Sequence, residues 1–180
     1  MKDEESQLLK WYAIRVTYSR ELKLKKYLDA KNMENFLPMQ YLQKEVNGKK
    51  SRLLVPIVHN LIFVKSMRSS IDVVKQEVEG IVPIRYIMDK STNKPIIVPE
   101  SQMRSFIAVA GSLNEQLLYL DDHIESVLEK GSRVLVTGGI FSGVEGVVLR
   151  IKRDHRVVVS IKGVIAVATA FIPSTLLRKI

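Results

Sequence analysis

Gly131-Ser-Arg-Val134-Leu-Val136-Thr-Gly-Gly139-Ile-Phe141-Ser-Gly143-Val-Glu-Gly146-Val147-Val148-Leu-Arg-Ile151 reads as two short strands joined by a glycine-rich corner. Val134 and Val136 alternate, as do Val147, Leu149 and Ile151, which is the period-two signature of strands with one buried face. A further alternation, Val157, Val159 and Ile161, follows a turn at Asp154-His155. The run Val164–Ile172, then Pro173 and Leu176-Leu177, closes the unit. Short strands with glycine corners over residues 130–180 predict a small all-β, SH3-like barrel. A phosphate-binding loop is a poor reading of these glycines. That motif opens a helix whose N-terminus meets the phosphate, and here Val147–Ile151 continues as a strand.

Upstream the pattern mixes periods. Trp11–Thr17 is a strand of β-branched and aromatic residues. Ser19 is placed to cap a helix carrying Leu22, Leu24, Tyr27, Leu28 and Met33 on one face and Arg20, Lys23, Lys25, Lys26 and Lys31 elsewhere. Phe36–Leu42 is extended, and Asn47-Gly48 is a strong hairpin signal before Arg52–Val64. Within that run His59-Asn60 fits either a tight turn or a bent strand. Ser69 or Ser70 is placed to cap a second helix through Glu79 that ends at Gly80. Val82–Met88 reads as a strand, Asp89–Pro95 as a polar turn, and Pro99–Gly111 as a third helix with Met103, Phe106, Ile107 and Ala110 inward. The order β-α-β-β-α-β-α describes an α+β module, an antiparallel sheet flanked by helices, over residues 8–112.

Charge divides the chain in the same places. Residues 1–112 hold 19 Lys/Arg against 12 Asp/Glu, residues 113–129 hold none against five, and residues 130–180 hold nine against two. Two basic blocks therefore flank an acidic segment, 113–129, expected as a linker with an apolar patch at Leu117–Leu120. Basic modules attract nucleic acid or acidic partners. With no cysteine, disulfides, thiolate metal sites and a cysteine nucleophile are excluded. Met1–Lys10 is charged and lacks the apolar run of a signal peptide, and Gly163–Phe171 is too short to span a bilayer. A cytoplasmic monomer with no membrane contact is the expectation.

The Gly131–Ile151 pattern resembles the KOW motif of NusG-type factors and of several ribosomal proteins. Trp11-Tyr12 on the opening strand, a basic helix and Asn47-Gly48-Lys49-Lys50 together resemble the N-terminal domain of the NusG family, across roughly residues 10–110. The resemblance implies a transcription elongation or antitermination factor. Its N-terminal domain would bind the clamp helices of RNA polymerase, and its KOW domain would recruit a partner. The rivals are a housekeeping member of the family and a ribosome-associated RNA-binding KOW protein.

Val58-His59-Asn60-Leu61-Ile62-Phe63-Val64 lies where the family has an aromatic strand lining the polymerase-binding depression. This implies a pocket of Val58, Asn60, Leu61 and Phe63, with Leu61 and Phe63 at i and i+2 on one strand face. The His59-Asn60-Leu61 wording is similar to that of UpxY-type antiterminators of Bacteroides capsule loci. By the same resemblance Tyr18, Arg20 and Lys23 would touch exposed non-template DNA by stacking and phosphate neutralisation. Ser69 and Ser70 lie near a second polymerase contact, the gate loop, beside their capping role. Val144, Arg150, Lys152 and Arg153 are the expected KOW partner surface, for a ribosomal protein, termination factor or RNA, with Phe141 as core. Lys49, Lys50 and Arg52 read as a charged edge that deters aggregation.

An enzyme is not indicated. His59, His123 and His155 are scattered, and no HExxH motif, nucleophile elbow or carboxylate pair occurs. No cofactor or metal is expected.

Overall fold

The computed structural model describes residues 8–120, 124–151 and 153–180, without the side chains of Val46 and Glu125. The chain divides into two units, one up to Glu100 and one from Ser101 to Ile180. The mixed α+β architecture followed by an all-β sheet is the one the residue periods predict.

The first unit is built on β1 (Lys10–Val16). It pairs antiparallel with β5 (Leu61–Ser66) on one side and with β6 (Ile84–Tyr86) and β7 (Ile97–Val98) on the other. β2 (Asn35–Phe36) flanks β5. Tyr12, Ile14 and Val16 share one face with Ile62 and Val64. Onto it pack Leu24 and Leu28 of α1 (Glu21–Ala30) and Ile71, Val74 and Val78 of α2 (Arg68–Val78). Each helix thus buries an i, i+3/i+4 stripe. Each of these aliphatic side chains contributes about 1.5–3 kcal/mol by leaving water.

The stripe on α1 is Glu21-Leu24-Leu28, so Leu22, a residue on from Glu21, turns outward and is exposed, contrary to the sequence expectation. The capping assignments also differ. α1 follows Arg20 and α2 follows Met67, neither with a side-chain capping bond, and Ser69 and Ser70 sit inside the first turn of α2. That helix ends at Val78, before Gly80. The strand expected over 82–88 shortens to β6, after which Met88 bridges Pro95. The Asp89 carboxylate closes the polar turn by accepting the N–H groups of Ser91 (2.7 Å) and Thr92 (3.0 Å).

β3 (Met39–Val46) and β4 (Lys49–Pro56) pair only with each other. Asn47 (φ 53°) and Gly48 (φ 74°) form the turn, both in the left-handed region that a two-residue hairpin of this hand needs.

In the second unit β9 (Ser132–Val136), β10 (Glu145–Ile151), β11 (Asp154–Ile161), β12 (Ile165–Ala168) and β13 (Leu177–Lys179) join β8 (Leu118–Leu120) in one antiparallel sheet, ordered β13-β9-β10-β11-β12-β8. A Cβ at Gly146 would lie 2.5 Å from the Val158 carbonyl oxygen, so β10 approaches β11 that closely only with glycine there. Gly143, at φ 85°, turns the chain into β10.

Two segments stand differently from their sequence reading. The acidic stretch contributes β8, with Leu118, Tyr119 and Leu120 opposite Ala168, Val167 and Ala166. Leu128, in the short helix α4 (Glu125–Leu128), is buried with Val158, Ala166 and Ala168. Helix α3 (Glu100–Ala110), which the sequence groups with the first module, is bonded to this sheet. The Gln102 amide donates to the Ser160 carbonyl, and the Ser105 hydroxyl accepts the Glu145 N–H at 3.2 Å.

Candidate functional site

β1 does not run straight into α1. Thr17–Ser19 make a single tight turn in which Tyr18 (φ 58°) and Ser19 (φ 51°) are both left-handed. Non-glycine residues hold that conformation only when their surroundings enforce it, at a cost of about 1–2 kcal/mol each. The enforcing bonds are visible. Thr17 donates its N–H and its hydroxyl to the Pro83 carbonyl, at 3.2 and 3.0 Å. Ser19 donates its N–H to Asn60 Oδ1 at 3.1 Å, and the Asn60 carbonyl accepts the Val16 N–H at 3.1 Å. The Asn60 N–H in turn donates to the buried carboxylate of Glu21.

The turn displays Tyr18, which is 76% exposed. The Arg20 guanidinium lies 5.4 Å from its ring centroid and also donates to the Ile81 carbonyl. Lys23, exposed, follows Arg20 by three residues and so lies on the same side of the helix start. The structure therefore sets Tyr18 and Arg20 side by side, with exposed Lys23 in the first turn of the helix that follows. An exposed ring with a guanidinium held beside it is a platform for stacking a nucleobase or pairing a phosphate.

The pocket residues are placed otherwise. Asn60, half-buried and left-handed (φ 68°), spends its backbone and side-chain polar groups on the turn just described. Val58 is half-buried ahead of β5. Leu61 and Phe63 do share a face, opposite Ile62 and Val64, with Ala13 directly across from Phe63. At 3% and 0% exposure they do not line an open depression as the sequence reading expects. The same face carries buried Trp11, so it is a second apolar surface of the sheet.

At the start of α2, Ser69 is exposed and Ser70 half-buried. Beside them the Arg68 guanidinium lies 5.7 Å from the Tyr86 ring, and the Tyr86 hydroxyl donates to Asp72 at 2.8 Å. Burial, and then the Asp72 carboxylate, raise the Tyr86 hydroxyl well above an ordinary phenol.

The expected KOW partner surface is not a single patch. Val144 is 1% exposed, a core residue, because the corner that carries it folds back: its N–H donates to Phe141 O, and its carbonyl accepts the Val136 N–H. Arg150 and Arg153 are exposed but lie at the opposite end of β10, about 20 Å away at strand rise. Lys152 lies outside the described residues. Arg156 is buried and structural, donating to the carbonyls of Gln116 (2.7 Å) and Thr169 (2.8 Å). The large apolar residue of the glycine corner that faces solvent is Ile140, 73% exposed, which the sequence reading passed over. Gly138-Gly139 before it was the available signal, since a left-handed Gly139 (φ 75°) turns the chain outward there.

Among the described residues no cluster of three or more His, Asp or Glu could hold a metal, and no helix is long and apolar enough to cross a membrane.

The family model described as "NusG: Transcription termination factor nusG" matches residues 9–107, more than half of the chain. The chain belongs to the NusG family. Members of that family are transcription factors without catalytic activity and characteristically bind RNA polymerase. Among solved structures the chain is similar to one titled "Domain interaction in Thermotoga maritima NusG", at 19% identity over 97% of this chain and 99% of that one, with a TM-score of 0.48. No curated protein matches.

Proposed function

We propose that this NusG-family chain is a transcription elongation factor of the antitermination type. Its N-terminal unit binds the clamp helices of RNA polymerase and holds Tyr18, Arg20 and Lys23 against the exposed non-template strand. The observation that carries the nucleic-acid arm is the strained Thr17–Ser19 turn. Two left-handed residues are maintained there to expose an aromatic ring beside a fixed guanidinium. Strain kept at an exposed, polar position is a mark of function rather than packing. Binding shifts the polymerase only to the extent that the factor prefers the elongating state over the paused one.

The Gly131–Ile151 pattern, now two paired strands around a glycine corner, supports reading residues 130–180 as a KOW module that recruits a ribosomal protein, termination factor or RNA. The chain passes from the proposed 8–112 module to the 130–180 module through the acidic segment 113–129, part of which joins the second unit's sheet as β8. The wording of His59-Asn60-Leu61 supports a specialised role like that of capsule-locus antiterminators. Ser69 and Ser70 sit beside the Arg68–Tyr86 pair, a surface suited to a second polymerase contact. A factor of this kind works as a monomer in the cytoplasm.

The test is pausing of bacterial RNA polymerase on a defined template with the full chain, and with Tyr18→Ala. Shortened pauses that lengthen again with Tyr18→Ala are expected, together with cross-linking from position 18 to non-template DNA. Failure of the full chain to bind polymerase core at low salt would overturn the polymerase reading. Weight would then move to an RNA-binding KOW protein.

A further inference from the structure

We propose, on the polymerase reading above, that Arg15 and Arg85 form a twin-guanidinium receptor that takes an acidic side chain of the polymerase. Arg15 on β1 and Arg85 on β6 stand directly opposite each other in antiparallel register. Opposed residues share one face of the sheet, with Cβ atoms about 4.5–5.5 Å apart, and like charges set opposite each other destabilise the pairing. Both arginines are exposed, and among the described residues neither guanidinium has an ion-pair or hydrogen-bond partner. Lys65, on the same face opposite Trp11, is served differently. Its ammonium has a Glu100 carboxylate oxygen at 3.1 Å and one of Glu34 at 3.6 Å. The unit thus supplies carboxylates to one cation of this face and none to the other two. Solubility needs one arginine at such a position, not two in register. A local rule broken at an exposed site marks a functional one.

The surroundings select the partner. On its other side Arg15 lies opposite Leu61, and the next pair along the same face is Ala13 with Phe63. All three of these neighbours are buried. Ile87, two residues beyond Arg85, is half-buried and donates its N–H to the Ala13 carbonyl at 2.9 Å. The two arginines therefore stand at the margin of an apolar face. That is the composition of a protein interface, where arginine is enriched and often carries a large share of the binding energy. A nucleic-acid track would continue the cations along a backbone and expose aromatic rings between them for stacking. The aromatic residues of this face, Trp11 and Phe63, are buried instead. A guanidinium presents a planar fork that matches the two oxygens of a carboxylate, and two forks set side by side can grip one carboxylate from two directions. Binding an acid there also removes the repulsion between the arginines, so the chain gains by association what it loses when free.

The experiment uses the full chain and measures three quantities at fixed ionic strength. These are affinity for bacterial RNA polymerase core, affinity for a labelled DNA single strand, and melting temperature. Wild type is compared with the combined Arg15→Gln, Arg85→Gln variant and, separately, with Arg85→Glu. The double variant should bind polymerase about 10- to 100-fold more weakly, the size expected for a lost charge-assisted contact. Its affinity for the single strand should be unchanged. Arg85→Glu converts the repulsive pair into an attractive one inside the chain. Its melting temperature should therefore rise while its polymerase binding falls, a combination that unfolding cannot produce. Polymerase binding equal to wild type in the double variant would overturn the twin-arginine receptor and leave the polymerase reading standing. Loss of single-strand binding with polymerase binding intact would overturn it as well, because the anion would then be a phosphate. A wild-type chain that does not bind polymerase core would overturn both.

Discussion

Asn60 Oδ1 accepts the N–H of Ser19 at 3.1 Å, joining residues 41 positions apart and pinning the start of β5 to the turn that exposes Tyr18. Asn60 is itself left-handed, a conformation that asparagine tolerates better than most residues because its short polar side chain bonds locally. Its other two bonds, from Val16 N–H and to the Glu21 carboxylate, make it a bracket across the β1–α1 junction. Asn60→Ala should therefore remove a hydrogen bond and add backbone strain, together about 1.5–3 kcal/mol. Asn60→Gly keeps the conformation and loses only the side-chain bond, so chemical denaturation should place it between alanine and wild type. Both variants should weaken single-strand DNA binding through Tyr18. Equal stability of the two would show that left-handed strain is not what asparagine relieves.

Leu61→Asp should unfold the first unit rather than disable a surface. Leu61 is nearly fully buried, and an unpaired carboxylate in an apolar site costs several kcal/mol or must take up a proton. Leu61→Met, which keeps volume, should cost less than about 1.5 kcal/mol. Urea titration followed by circular dichroism distinguishes these outcomes. A well-folded Leu61→Asp protein would mean that the face opens readily to water. Polymerase binding should be compared between wild type and Leu61→Met, because both stay folded.

Much of this architecture was legible because it is local. The Trp11–Val16 strand, the Ile71-Val74-Val78 stripe and the Asn47-Gly48 turn each follow from spacing and backbone preference within a few residues. The features that were missed depend on distant partners. Glu21 looks like a solvent-facing helix start until Asn60 is beside it, and so Leu22 looks like core. Leu118–Leu120 is acidic-linker sequence until β12 supplies a ladder of small residues to pair with it. That Tyr18 and Arg20 stand side by side follows from their being sequence neighbours. The proposed pocket was not, because the strand pattern that places Leu61 and Phe63 on one face says nothing about whether that face is open.

The Tyr86 hydroxyl gives the first unit a pH dependence at the alkaline end. Burial and Asp72 raise its pKa in the folded chain, so the neutral phenol is favoured there. A group raised above its unfolded value contributes stability that is complete below the unfolded pKa, about 10 for tyrosine, and is lost as pH rises through the folded value. Burial raises Tyr119 in the second unit in the same direction. Thermal unfolding should therefore show a melting temperature that declines above about pH 10. In Tyr86→Phe that decline should be shallower. The ring would still meet Tyr12 edge-on at 5.6 Å, while the bond to Asp72 would be gone at every pH. An identical alkaline slope in Tyr86→Phe and wild type would refute the assignment.

Val144 and Ile140 offer a matched pair, because they share one glycine corner and differ in exposure from 1% to 73%. Val144→Asp places a carboxylate in the core, where its neighbours on the corner are held by the bonds Gly143 N–H to Val136 O (2.8 Å) and Val136 N–H to Val144 O (2.9 Å). A loss of several kcal/mol is expected, enough to melt the second unit. Ile140→Asp changes a largely exposed side chain and should stay within about 0.5 kcal/mol of wild type. If the corner serves a protein partner, Ile140→Asp should weaken that binding in a fully folded chain, an effect Val144→Asp can produce only by unfolding. Differential scanning calorimetry on the two variants decides the exposure argument. A stable Val144→Asp protein would mean that the corner rearranges and that Val144 can reach the surface after all.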